Sequence, residues 1–174
     1  MNKNIIILVT ALLILPSLSA AKSFAQSDYD VAVELANSGK KDFAFVRFLS
    51  VVDSEANPRL RENALFATAA DYFLNSDYTD AISAFNNFLS DYPNSKFKPF
   101  ALFYILNMAK SAGKKALAKK IEANIINLDR IILLFRGSKE YKVRSPLGSN
   151  YRLVRYIDRL EFYSDGKIQA QIFY

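Results

Sequence analysis

Two runs decide the fold: Glu62-Asn63-Ala64-Leu65-Phe66-Ala67-Thr68-Ala69-Ala70-Asp71-Tyr72-Phe73-Leu74 and, after Asn75-Ser76, Asp77-Tyr78-Thr79-Asp80-Ala81-Ile82-Ser83-Ala84-Phe85-Asn86-Asn87-Phe88-Leu89. In the first, Leu65, Ala69 and Tyr72 recur at steps of three and four and so share one face of a helix. In the second, Ala81, Phe85 and Phe88 do the same. Asn75-Ser76-Asp77 is a break between the two helices, and Pro93 closes the pair because proline lacks the amide donor a helix needs. Ala69 and Ala81 are small, so the helices can approach closely there, with Tyr72, Phe85 and Phe88 filling the space around that contact. Asp77 or Thr79 is placed to cap the second helix.

Working outward, further breaks fall at Ser38-Gly39, Asn57-Pro58, Tyr92-Pro93-Asn94-Ser95 and Ser111-Ala112-Gly113. They cut the chain into segments of about four helical turns. Pro58 and Pro93 lie close to the roughly 34-residue period of a known helical repeat. A preceding unit would use Ala32 and Leu35 in its first helix and Ala44, Phe48 and Val51 in its second. A following unit would use Leu102, Leu106 and Ala109, then Ala118 and Ile125, with Glu122 where an aromatic is expected. An ordinary antiparallel helical bundle is the alternative.

This pattern of large, small and aromatic positions closed by proline resembles the tetratricopeptide repeat family. The segments Asp77-Tyr78-Thr79-Asp80-Ala81-Ile82 and Asp91-Tyr92-Pro93-Asn94-Ser95-Lys96-Phe97 are similar to those of periplasmic envelope members. Those include the Tol-Pal-associated coordinator of cell constriction and the repeat lipoprotein of the β-barrel assembly machine. The chain has no cysteine to carry the lipid of the second and no coiled-coil N-terminal region like the first. The resemblance implies an array of antiparallel helical hairpins that binds a protein or peptide along the concave side formed by its first helices. Carried onto this sequence, that groove would present Asn63, Phe66, Ala70 and Phe73, then Phe100, Phe103, Asn107 and Lys110. The phenylalanines would grip a peptide and the asparagines would bond its backbone. Burial by neighbouring helices or by the tail is the competing expectation for the same residues.

The start of the chain has the order of a secretory signal: Lys3, an apolar run from Ile5 to Leu15, Pro16, then small residues. Cleavage is expected after Ala25 or after Ala21. The run is shorter than the roughly 20 residues a spanning helix needs, so an uncleaved anchor is the second option. Residues 1–25 are thus expected to be a signal peptide, 26–136 the helical domain and 137–174 a β-rich tail. Export places the body in the periplasm, or outside the cell.

Loss of Lys3 and Lys22 lowers the formal charge from +6 to +4. The excess lies in residues 136–174, with eight basic and four acidic side chains, whereas 26–135 hold thirteen of each.

In that tail the period changes to two. Tyr141–Arg144, Tyr151–Ile157, Leu160–Tyr163 and Lys167–Phe173 alternate like strands, and Ser164-Asp165-Gly166 marks a hairpin. A three-residue loop with Gly166 left-handed is expected, because it sets Phe162 opposite Ile168 and Leu160 opposite Ala170. The helix around 114–135 is apolar on too many sides to end an array uncovered. The tail, another copy or a partner must cover it, and the tail hairpin is expected to lie there.

Chemistry finds little to work with. The chain has no cysteine and no histidine. That removes thiolate catalysis, cysteine zinc sites, a Ser-His-Asp triad and the usual general base at neutral pH. No cofactor or metal, no enzyme activity and no nucleic-acid partner are expected. Two functions remain: a scaffold binding a protein or peptide partner in the envelope, or a module whose basic tail (Arg152, Arg155 and Arg159) holds peptidoglycan or anionic lipid. Self-association is left open.

Overall fold

The structure, a computed structural model, describes residues 28–54, 56–129 and 139–174. The expected signal segment 1–25 and the apolar stretch 131–135 lie outside the described residues. The chain is mainly helical, with a small antiparallel sheet at its C-terminal end.

Among the described residues, six helices make three hairpins. They are α1 (28–37) with α2 (Lys41–Ser54), α3 (Pro58–Leu74) with α4 (Tyr78–Asp91), and α5 (Lys98–Ser111) with α6 (Lys115–Asp129). Each hairpin turns the same way. Gly39, Ser76 and Gly113 take left-handed φ of 79°, 67° and 67°. Their amides bond back to Ala36, Phe73 and Lys110, and the next amides to Leu35, Tyr72 and Ala109. This is the Schellman closure that stops a helix by satisfying its last carbonyls. The three turns step by 37 residues, and so do the second-helix starts Lys41, Tyr78 and Lys115. The repeat is therefore regular and longer than the proline spacing implied.

Ala44, Ala81 and Ala118 hold equivalent places one period apart and are all buried, as is Ala69 opposite Ala81. Neighbouring helices pack in sequence from α2 to α6, and α3 also meets α5. Asp77 stands at the N-cap of α4 without a side-chain cap bond, whereas Asn57 caps α3 by accepting from the Arg59 amide at 3.0 Å.

The tail forms one four-stranded antiparallel sheet in the order β1 (Glu140–Arg144), β2 (Asn150–Arg155), β3 (Arg159–Ser164), β4 (Lys167–Phe173). The expected three-residue loop is not formed. Ser164 pairs with Lys167 across a two-residue turn in which Asp165 and Gly166 both take positive φ, 49° and 78°. A bulge at Gln169 then shifts the register, so Phe162 faces Ala170 and Leu160 faces Ile172. Apolar residues still meet apolar ones, but one extra residue in the strand does what a longer loop was expected to do.

The sheet does not rest mainly on α6. Its inner face lies on α5 and α3: Phe162 stacks on Phe103 at 4.8 Å, Tyr151 on Phe100 at 5.1 Å, and Tyr151 meets Phe66 edge-on at 6.0 Å. Ile121 and Ile125 of α6 join the same core from the side. The hydroxyls of Tyr104 and Tyr151 bond each other at 2.8 Å in the interior. Burial raises both phenols, Tyr104 strongly, so both stay neutral and pin β2 to α5.

Candidate functional site

The groove read from the sequence is filled by the chain itself. Phe66, Phe100 and Phe103 are fully buried. The reason is the sheet: Tyr141, Tyr151 and Phe162 supply aromatic faces to the rings that a peptide was expected to meet. Ala70 is buried too, and Phe73 is half-buried against Tyr78 and Tyr104. Asn107 is half-buried on α5, and Lys110 forms a 2.8 Å ion pair with Glu122 of α6. That pair explains the acid found where an aromatic was expected.

The basic tail is also engaged internally. Arg152 pairs with Glu140 at 3.1 Å and lies over the Tyr163 ring. Arg155 reaches the buried Asp129 of α6 at 3.5 Å. Arg159 pairs with Asp158 and Glu161 and covers Tyr156. Glu161, buried on the outer side of the sheet, accepts from Arg159, Tyr163 and Gln171, which together hold its carboxyl down to about 2. These arginines therefore do not form the open basic stripe expected of them.

Asn63 borders open space. Asn63 lies on α3 at the junction of two hollows of about 620 and 380 Å³, both lined by Asn63 and Lys96. The larger runs past Pro58, Arg59 and Glu62 at the start of α3 and the connection from Asp91 to Lys96. The smaller is walled by Tyr29, Asp30, Val33 and Asn37 of α1, by Arg144 at the end of β1 and by Ser145 and Pro146 of the β1–β2 connection.

The walls are braced. Ser95 Oγ donates to Glu62 and accepts from the Phe97 amide, and Phe97 stacks on Phe66 at 4.4 Å. Tyr141 donates to the Lys96 carbonyl at 3.0 Å, tying this connection to the sheet. On the other side Gly148, at φ +89°, lets the β1–β2 connection touch α1. A Cβ there would sit 2.6 Å from Asn37 Oδ1.

Asn63 itself is 9 % exposed, and its Oδ1 has no hydrogen-bond partner among the described residues. Its side chain lies beside the Tyr29 phenol, which burial raises and Asn63 partly offsets. A buried acceptor left unpaired costs about 1–3 kcal/mol. A guest that donates one hydrogen bond would recover that cost. Arg59, Lys96 and Arg144 stand around it with Asp30, Glu62 and Asp91, so the cleft is polar and mixed in charge.

The only sequence signal for this site was the position of Asn63 on the first helix of the middle unit. The contributions of α1 and of the β1–β2 connection depend on tertiary docking and left none. Among the described residues, no group of three or more acidic, histidine or cysteine side chains is placed to hold a metal, and no helix is long and apolar enough to cross a membrane. The chain matches no protein-family model, no curated protein and no solved structure.

Proposed function

We propose that this chain is a non-catalytic, exported repeat scaffold of the bacterial envelope that binds an extended segment of a protein partner in the cleft over Asn63. One residue carries the proposal: Asn63, which borders both hollows and whose buried Oδ1 has no hydrogen-bond partner among the described residues. A backbone amide of an extended segment is the donor such an acceptor suits, and the polar walls offer partners to the groups beside it. The regular step of the turns supports a helical repeat array, with a 37-residue unit three residues longer than a tetratricopeptide repeat. The signal-like start of the sequence supports export.

Selection from a random peptide display library tests the binding half. Enriched peptides should bind the native chain and lose about tenfold in affinity to Asn63→Ala, the equivalent of one hydrogen bond in a buried site. Peptides that bind both proteins equally, or no enrichment at all, would refute it. Intact mass after expression in a Gram-negative host tests export. Loss of residues 1–25 or 1–21 is expected, and a full-length cytosolic product would contradict it.

A further inference from the structure

We propose that the outer face of the β1–β2 hairpin holds a second site, one that takes a phosphate-bearing anion. Three cations, Lys142, Arg144 and Arg152, line a hollow of about 430 Å³ together with Asn150 and Gly166, and no carboxylate lines it. The alternation of the strands puts Lys142, Arg144, Asn150 and Arg152 on one side of the hairpin, because Lys142 is the cross-strand partner of Arg152 and Arg144 that of Asn150.

A lysine directly opposite an arginine is an unfavourable pairing in an antiparallel ladder. Here the repulsion is relieved from one end only: Glu140 pairs with Lys142 at 2.7 Å and with Arg152 at 3.1 Å. At the other end Arg144 is exposed and makes no ion pair among the described residues. The nearby Asp165 accepts from the Asn150 amide at 2.7 Å. Arg144 therefore stands at this end of the face without an ion-pair partner among the described residues, in the tail that holds the excess of basic over acidic side chains.

The chemistry of the donors narrows the guest. Guanidinium groups present a planar fork that matches phosphate oxygens, and an ammonium adds a point charge. Glu140 offsets one of the three positive charges, and a phosphate monoester, with up to two negative charges and three acceptor oxygens, matches the two that remain. A single carboxylate would leave charge uncompensated. Gly166 leaves the rim open, with nothing within 4 Å of the place a Cβ would occupy.

The same phosphomonoester chemistry is found in soluble phosphates and in the headgroup of phosphatidic acid. The test uses the full chain with two probes: inorganic phosphate followed by calorimetry, and phosphatidic acid–phosphatidylcholine vesicles followed by co-sedimentation against phosphatidylcholine alone. Arg144→Gln should weaken whichever probe binds by about tenfold and flatten the dependence of affinity on salt. Lys142→Gln should weaken it less, because it also removes the like-charge pairing. Lys120→Gln on α6 should change nothing.

Binding of phosphate assigns the site to a soluble ligand, and binding of anionic vesicles alone assigns it to a headgroup. Either supports the proposal if Arg144→Gln weakens it. No binding of either probe at low salt, or binding that Arg144→Gln and Lys120→Gln leave equal to the native chain, overturns it. Among the described residues Arg144 has no ion pair to lose, so its substitution is expected to leave the fold intact, and an unchanged unfolding temperature checks this.

Discussion

The face of the helical hairpins that meets the sheet and its connections falls into two regions that differ in one respect: one is sealed and the other open. Around Phe66, Phe100 and Phe103 the sheet supplies Tyr151 and Phe162, ring against ring, and nothing remains exposed. One turn earlier on α3, at Asn63, the sheet has ended in the Ser145–Gly148 connection and the wall becomes polar. The lesson is that an aromatic surface read from a repeat pattern does not reveal what it binds. Here its ligand is the chain's own C-terminal strands, and the space left for a guest lies where that internal cover stops.

The largest effect should come from breaking the seal. Phe162→Ala removes a ring in contact with Phe100 and Phe103, and about 3–5 kcal/mol of stability should go with it. Urea unfolding measures the loss, and a hydrophobic dye should report newly accessible rings.

Next is the boundary between the regions. Gly148→Ala pushes a methyl toward Asn37 Oδ1 from a left-handed backbone, which should cost about 1–3 kcal/mol. Hydrogen exchange should then rise in the β1–β2 connection while α5 stays protected.

Smaller is Asn63→Leu. It removes an unpaired buried acceptor but also the hydrogen bond between this amide and the Tyr29 phenol, so the two effects offset and stability should change by less than about 1 kcal/mol while peptide capture falls. Unchanged peptide capture would mean that the amide does not meet the guest.

The smallest concerns the outer face of the sheet. The carboxyl of Glu161 is depressed in the folded state, chiefly by Arg159 and then by Tyr163. Its contribution is therefore complete above the ordinary carboxylate range and lost as pH falls toward about 2. Glu161→Gln should flatten the acid limb of a stability-against-pH curve and leave the curve near neutrality parallel to that of the native chain.

The helical hairpins were legible because each rests on local signals: alanines at close contacts, aromatics at steps of three and four, and Gly39 and Gly113 at turns. The period was misjudged because prolines mark helix starts loosely. The left-handed turn residues set it, and one of them is Ser76, which carries no such signature. All four strands were legible from alternation, but the Gln169 bulge was not, since it serves to bring Ala170 and Ile172 of β4 opposite Phe162 and Leu160, a pairing that the turn sequence does not carry.

The groove was misplaced for a related reason. Helical spacing tells which residues share a face but not what lies over it. Asn63 survived as a candidate because the cover stops short of it. Arg152, Arg155 and Arg159 could not be discounted from sequence, since their partners Glu140, Asp129 and Glu161 come from other strands, another helix, or two residues along the same strand.

The sealed-and-open division is tested most directly by backbone amide shifts and exchange, recorded while a selected peptide is titrated into the full chain. Shifts confined to Arg59, Asn63, Lys96 and the Ser145–Gly148 connection, with Tyr151 and Phe162 still protected, are the result expected. Loss of protection at Tyr151 and Phe162, with shifts at Phe66, Phe100 and Phe103, would mean that the guest displaces the sheet, and would contradict the account.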